Sequence, residues 1–154
     1  MHKLNIRIAR KTDVFAIVAM IANDNLGSLR ENFQNPLPPA YYDAFENISH
    51  DQNQELMVME TEDGMIIGTL QLSFIQYLTY QGGIRAQIEA VRVHEQYRGK
   101  GIGQKLLEWA IQRAKEKRAH VVQLTTDKKR GNAFKFYEKL GFAASHEGMK
   151  LHLR

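Results

Sequence analysis

The sequence predicts one α/β (α+β) domain built on a mixed sheet with helices on both faces. Short stretches of alternating apolar character recur along the chain, as at residues 4–8 and 87–94. One long stretch, 101–118, instead repeats apolar residues at i, i+4 spacing. The two patterns interleave, which favours a layered sheet-and-helix fold over separate all-α and all-β parts. The 154 residues, 44% hydrophobic, suffice for one core, and the three prolines, all within 36–39, make no linker. A single domain over residues 1–154 is therefore expected.

Taken in order, Leu4, Ile6 and Ile8 alternate with Asn5 and Arg7 as a half-buried strand would. Basic residues then precede an apolar run at 14–22, a superficial likeness to a secretory leader. Thr12 and Asp13 abut that run as a helix start and no A-x-A site follows, so a helix is expected there. No stretch reaches the ~18 apolar residues a membrane span requires. Residues 26–39 read as irregular, and 40–48 as a short helix with Tyr41, Phe45 and Ile48 on one face. Strands at 56–60 and 65–74 flank the turn Glu62-Asp63-Gly64. In 87–94, Ile88, Ala90 and Arg92 alternate with Glu89, Val91 and Val93 as a further strand. Ile102, Leu106, Ala110 and Ala114 then mark the 101–118 helix. A strand at 120–125, a helix at 132–140 closed by Gly141, and a last strand at 144–153 complete the series.

Composition narrows the chemistry. The chain has no cysteine, which excludes a disulfide framework, a thiolate metal site and a cysteine nucleophile. The six histidines lack ligand spacing, so no metal is expected. A cytoplasmic protein without membrane contact is the expectation. The net charge of +4 is unevenly spread: residues 24–84 hold nine acidic and one basic residue, whereas 85–154 hold sixteen basic and seven acidic. The basic part suits a phosphorylated ligand and the acidic part suits a cation.

The most informative segment is 91–107, VRVHEQYRGKGIGQKLL, in which a strand runs through Arg98, Gly99, Lys100, Gly101, Ile102 and Gly103 into a helix. Glycines let successive N–H groups turn inward without a β-carbon in the way. The helix start adds roughly half a positive charge, so a pyrophosphate is the natural guest. Gln104 and Lys105 follow Gly103 where a Walker loop needs Lys-Ser/Thr, and Gln104 occupies the place of a third small residue in a dinucleotide fingerprint.

What remains, Arg-x-x-Gly-x-Gly, resembles the pyrophosphate motif of the GNAT superfamily of N-acetyltransferases, bacterial small-molecule type. The segment 132–142, NAFKFYEKLGF, is similar to that family's second hallmark. The resemblance implies a mostly antiparallel twisted sheet of about six to seven strands and about four helices, splayed between the fourth and fifth strands. It implies acetyl-CoA as co-substrate, with Val91, Arg92 and Val93 along the pantetheine, residues 98–103 around the pyrophosphate, and Asn132 on the pantetheine. Lys100, Arg98 and Lys135 become partners for the remaining phosphate charge. Glu89 is the candidate base acting through water, and Tyr137 the candidate acid toward the departing thiolate. An amide N–H from Val91 or Arg92 would polarise the thioester carbonyl. His146 is a second candidate base.

The implied activity is direct transfer of an acetyl group to the primary amine of a small acceptor in a ternary complex. A cationic acceptor is expected from Asp24, Glu31, Asp43, Glu46 and Asp51 with Tyr41 and Tyr42. The late segment also looks like that of members acting on aminoalkyl phosphonates, which points the other way. Alternatives are acetylation of a protein N-terminus or lysine, and a non-catalytic acyl-CoA-binding module. A nucleic-acid-binding domain would need a displayed basic element, and Lys128-Lys129-Arg130 is the only compact basic run. No nucleic-acid partner is expected, and the resemblance implies a homodimer.

Overall fold

The computed structural model describes residues 3–154; Met1 and His2, the start of the expected domain, lie outside the described residues. Five strands form one sheet in the order β1 (Asn5–Ile8), β2 (Gln54–Glu60), β3 (Ile66–Gln76), β4 (Ile84–Val93), β5 (Val121–Gln123). The first four pair antiparallel, and β4 and β5 pair parallel. The helices are α1 (Val14–Ala22), α2 (Gly27–Arg30), α3 (Pro39–Ser49), α4 (Thr79–Gly82), α5 (Ile102–Glu116) and α6 (Ala133–Lys139). No helix among the described residues is long and apolar enough to cross a membrane.

Two apolar layers cover the sheet. On one face α5 buries Ile102, Leu106, Leu107, Ala110 and Ala114 against Leu70, Leu72, Ala86 and Ile88. This is the i, i+4 stripe of the sequence meeting the inward residues of the central strands. On the other face Val14, Ile17 and Val18 of α1 join Phe45 of α3 over Val58. On this face α3 leans on β2, while α1 crosses over β3 and β4.

Several features depart from expectation; the described residues form six helices where about four are expected. The region read as irregular contains the single turn α2. Its bond runs from the Glu31 amide to the Gly27 carbonyl at 2.8 Å, and Gly27 packs so close to the Ile21 carbonyl that a β-carbon would collide with it. The final strand expected at 144–153 does not form, and the sheet has five strands rather than six or seven. Met149, Leu151 and Leu153 alternate correctly but are 96%, 86% and 90% exposed. Alternation supplies a strand's two faces, not the ladder partner that its backbone groups require.

The N-terminal strand is locked to α1 by an ion pair. Arg7 donates two bonds to the Asp13 carboxylate, Nη1 at 2.7 Å and Nη2 at 3.0 Å, and the Arg10 amide adds a third at 2.7 Å. Burial pulls the Asp13 pKa up, yet these donors outweigh it and the net shift is downward. A depressed carboxylate pKa contributes stability that is complete above its ordinary value, about 4, and disappears as pH falls through the lowered one. Asp13→Ala is expected to cost about 3 kcal/mol at neutral pH by urea denaturation, with the gap to wild type closing in strong acid.

Candidate functional site

Strands β4 and β5 pair over only Arg85–Val121, Ala86–Val122 and Gln87–Gln123, and beyond these they part. The gap opens toward the C-terminal ends of both strands, where parallel sheets characteristically place ligands. Within it, β4 carries a bulge: Gln71 faces Glu89 and Thr69 faces Arg92, so Ala90 and Val91 oppose a single residue of β3. Ala90 takes a positive φ of 53°. This kink re-aims the backbone between Glu89 and Arg92 and withdraws its polar groups from regular pairing.

At the mouth of the gap β4 leads through residues 98–101 into α5. Gly99 and Gly101 have φ of 75° and 81°, and no atom lies within 4 Å of where their β-carbons would be. The first bond of the helix runs from the Lys105 amide to the Gly101 carbonyl, 3.2 Å. The N–H groups ahead of it are the orphan donors of a helix start. Open space, the orphan donors of a helix start and a helix dipole together fit a phosphate pair, and the adjoining gap fits an extended arm. Gly103 sits close to the neighbouring layer, its β-carbon position 3.6 Å from Phe136 and 3.8 Å from Val93.

The expected phosphate partners are placed unequally. Arg98 is tied to protein carbonyls, Nε to Val93 at 3.3 Å and Nη2 to Asn23 at 3.2 Å. Lys100 lies 5.2 Å from the centroid of the Tyr97 ring, and Lys135 is exposed on α6. Asn132 caps α6 with its carbonyl, which accepts from the Phe136 amide at 3.3 Å, and leaves its side chain exposed.

Tyr137 projects from α6 and packs edge-on against Phe136 and Phe142, with ring centroids 5.2 and 5.9 Å away. Burial raises its phenol pKa, and the charges of Arg92 and Arg130 offset this only in part. The phenol therefore keeps its proton at neutral pH, the form a proton donor needs. Glu89 lies on the sheet face turned away from α5, exposed, and accepts from Gln87 Nε2 at 3.2 Å. Neither nearby arginine neutralises it: Arg85 stacks 4.7 Å from the Tyr77 ring, and Arg92 turns to Asp24. His146 lies in the exposed C-terminal stretch, bonded to its neighbour Ser145 at 2.7 Å, and is not brought to this cluster by any contact.

The element that sequence reasoning missed is Asp24. Its Oδ2 lies 3.2 Å from Arg92 Nε and 2.9 Å from Arg130 Nη1, while Oδ1 accepts from the Gly27 amide. Asp24 thus joins the loop after α1, the strand β4 and the loop before α6. Burial works against its ionisation, but the Gly27 amide and the two arginines bring its pKa down overall.

A model of the Acetyltransferase (GNAT) family matches residues 22–142. Aminoalkylphosphonate N-acetyltransferase from Salmonella typhimurium is 32% identical over 84 residues, 54% of each chain. Glucosamine 6-phosphate N-acetyltransferase from Trypanosoma brucei brucei is 34% identical over 90 residues, 58% of this chain and 59% of that one. The matched part is thus little more than half the length of these curated relatives. A crystal structure described as a transcriptional regulator from Bacillus halodurans C-125 superposes with a TM-score of 0.94 at 51% identity, covering 98% of this chain and 100% of that one.

Gly27 holds Asp24 in place, since a side chain there would collide with the Ile21 carbonyl and with Asp24 itself. Gly27→Ala is expected to lower stability by about 1–3 kcal/mol, read as a fall in the thermal midpoint.

Proposed function

The chain belongs to the GNAT acetyltransferase family, and on that premise we propose that it transfers the acetyl group of acetyl-CoA directly to the primary amine of a small acceptor. The observation that carries this reading is the parallel β4–β5 pair that parts beyond Gln87 and Gln123, with a glycine-rich helix start at its mouth. Acetyl-CoA supplies an activated acetyl thioester. The N–H groups of residues 99–103 hold its pyrophosphate, and the parted edges of β4 and β5, with Val91, Arg92, Val93 and Asn132, hold its pantetheine. The amide following the Ala90 bulge is the fixed donor toward the acyl oxygen, a role in which one donor is worth about 3 kcal/mol.

An alkylamine is protonated at neutral pH, with a reference pKa of ~10. Glu89, exposed and without a cationic partner among the described residues, is the base that removes its proton through water. Tyr137 returns a proton on the sulfur side. We propose also a cytoplasmic location, no nucleic-acid partner and a homodimer, the last supported by the exposed apolar residues of the C-terminal stretch.

The acidic residues behind the expectation of a cationic acceptor are largely engaged elsewhere. Asp24 faces two arginines. Glu31 takes bonds from Tyr41 and Arg30. Asp51 binds Asn53 and Gln54. The two curated relatives are named for an aminoalkylphosphonate and a glucosamine phosphate, both small amines.

The Bacillus halodurans relative is named a transcriptional regulator and not a transferase, which leaves room for a second reading, a domain that binds an acyl-CoA and transfers nothing. Cofactor binding without acetylation across a panel of amines would select it. For the main reading, calorimetric titration with acetyl-CoA is expected to show one site, weakened at least about 100-fold by Gly101→Glu or Gly103→Glu; silence from the wild type would remove the reading's foundation. Tyr137→Phe is expected to keep acetyl-CoA binding while lowering kcat by roughly 100-fold; an unchanged kcat would return Tyr137 to a packing role.

A further inference from the structure

We propose that the acceptor is an anionic amine, a small primary amine that also bears an oxyanion, and that Arg92 and Arg130 hold that oxyanion. This rests on the acetyl-transfer reading and names the substrate class of the same site.

Arg92 comes from β4, two residues past the Ala90 bulge, and Arg130 from the loop before α6. Their guanidiniums converge on one oxygen of Asp24, at 3.2 and 2.9 Å. Two cations thus share one carboxylate, which leaves an excess positive charge in a partly buried place. The side chains are 15% and 27% exposed, so solvent offsets that excess incompletely. Burial and the charge of Arg130 both disfavour the charged form of Arg92, and Asp24 opposes them only in part.

The donors point the same way. A guanidinium presents a fork of N–H groups suited to an oxyanion. Among the described residues, protein acceptors take only Nη1 of Arg92, bonded to the Val91 carbonyl at 2.8 Å, and Nη1 of Arg130, bonded to Asp24. Arg92 Nε is buried beside Asp24 without making a hydrogen bond. Asp24 cannot follow an incoming anion away, because its other oxygen is fixed on the Gly27 amide. It therefore orients the two guanidiniums and leaves most of their donors available.

Position supplies the link to chemistry. Both guanidiniums act electrostatically on the Tyr137 phenol. An amine anchored through an oxyanion on this pair is delivered beside the proposed proton donor, on the face that carries Glu89. A polyamine brought to the same place would meet two like charges.

The test uses 2-aminoethylphosphonate, ethanolamine and 1,3-diaminopropane as probes. The phosphonate is expected to have a kcat/KM on the order of tenfold to a hundredfold above ethanolamine's, and Arg130→Gln to collapse that ratio. Independently of turnover, the phosphonate should raise the thermal midpoint of the wild type and not that of Arg130→Gln. Calorimetric binding of acetyl-CoA by the variant establishes that it is folded. Equal or better turnover of ethanolamine or the diamine overturns the proposal. So does loss of acetyl-CoA affinity in Arg130→Gln and Arg92→Gln alike, if circular dichroism shows both folded, since the arginines would then serve the co-substrate. Acetylation of no probe despite an intact phosphonate shift would instead sink the acetyl-transfer reading and leave the oxyanion site standing.

Discussion

Parallel pairing between β4 and β5 stops after three residue pairs, and the arrangement of the site follows from that interruption. Two adjacent strands that share a full ladder present a closed surface. Two that part leave backbone groups facing a gap, and such groups need partners. Here the parting coincides with the Ala90 bulge on one strand and with the turn into α5 beyond it. The unpaired edges, the kinked amide and the orphan donors of the helix lie along one path, which therefore reads as the track of an extended, phosphorylated molecule.

The rest of the fold holds that gap open. The five buried residues of α5 anchor its axis on the central strands, so the first turn of the helix is presented by a packed element and not by a free loop. On the opposite face α3 leans on β2 and α1 crosses over β3 and β4. Asp24 then ties the end of the α1 layer to β4 and to the loop before α6. Arg98 makes a second tie in the same direction through the Asn23 carbonyl. The wall of the cleft is thus built from segments far apart in sequence.

Legibility in the sequence follows the range of the determinant. The α5 helix was readable because Ile102, Leu106, Ala110 and Ala114 repeat locally, and the phosphate loop because Gly99 and Gly101 mark a turn where they stand. The Ala90 bulge was not, since alanine has no preference for a positive φ and only the mismatch of two strands demands it. In the sequence Asp24 is one of several acidic residues of the 24–63 region; its partners lie at positions 92 and 130, and nothing near it announces them. The expected last strand failed for the converse reason. Its alternation is local and real, but pairing is a property of two segments, and residues 144–154 have no second one among those described.

The helix α5 serves two tasks with one body, its first turn lining the mouth of the gap and its buried face filling the main core. Whatever occupies the mouth binds a surface that exists only while that core is intact. Occupancy and folding are then thermodynamically linked: a ligand at 100 times its dissociation constant adds about 2.7 kcal/mol to the folded state. The resistance of such a domain to unfolding would rise and fall with the concentration of its ligand, so that the filled and empty proteins have different lifetimes under the same proteolytic load.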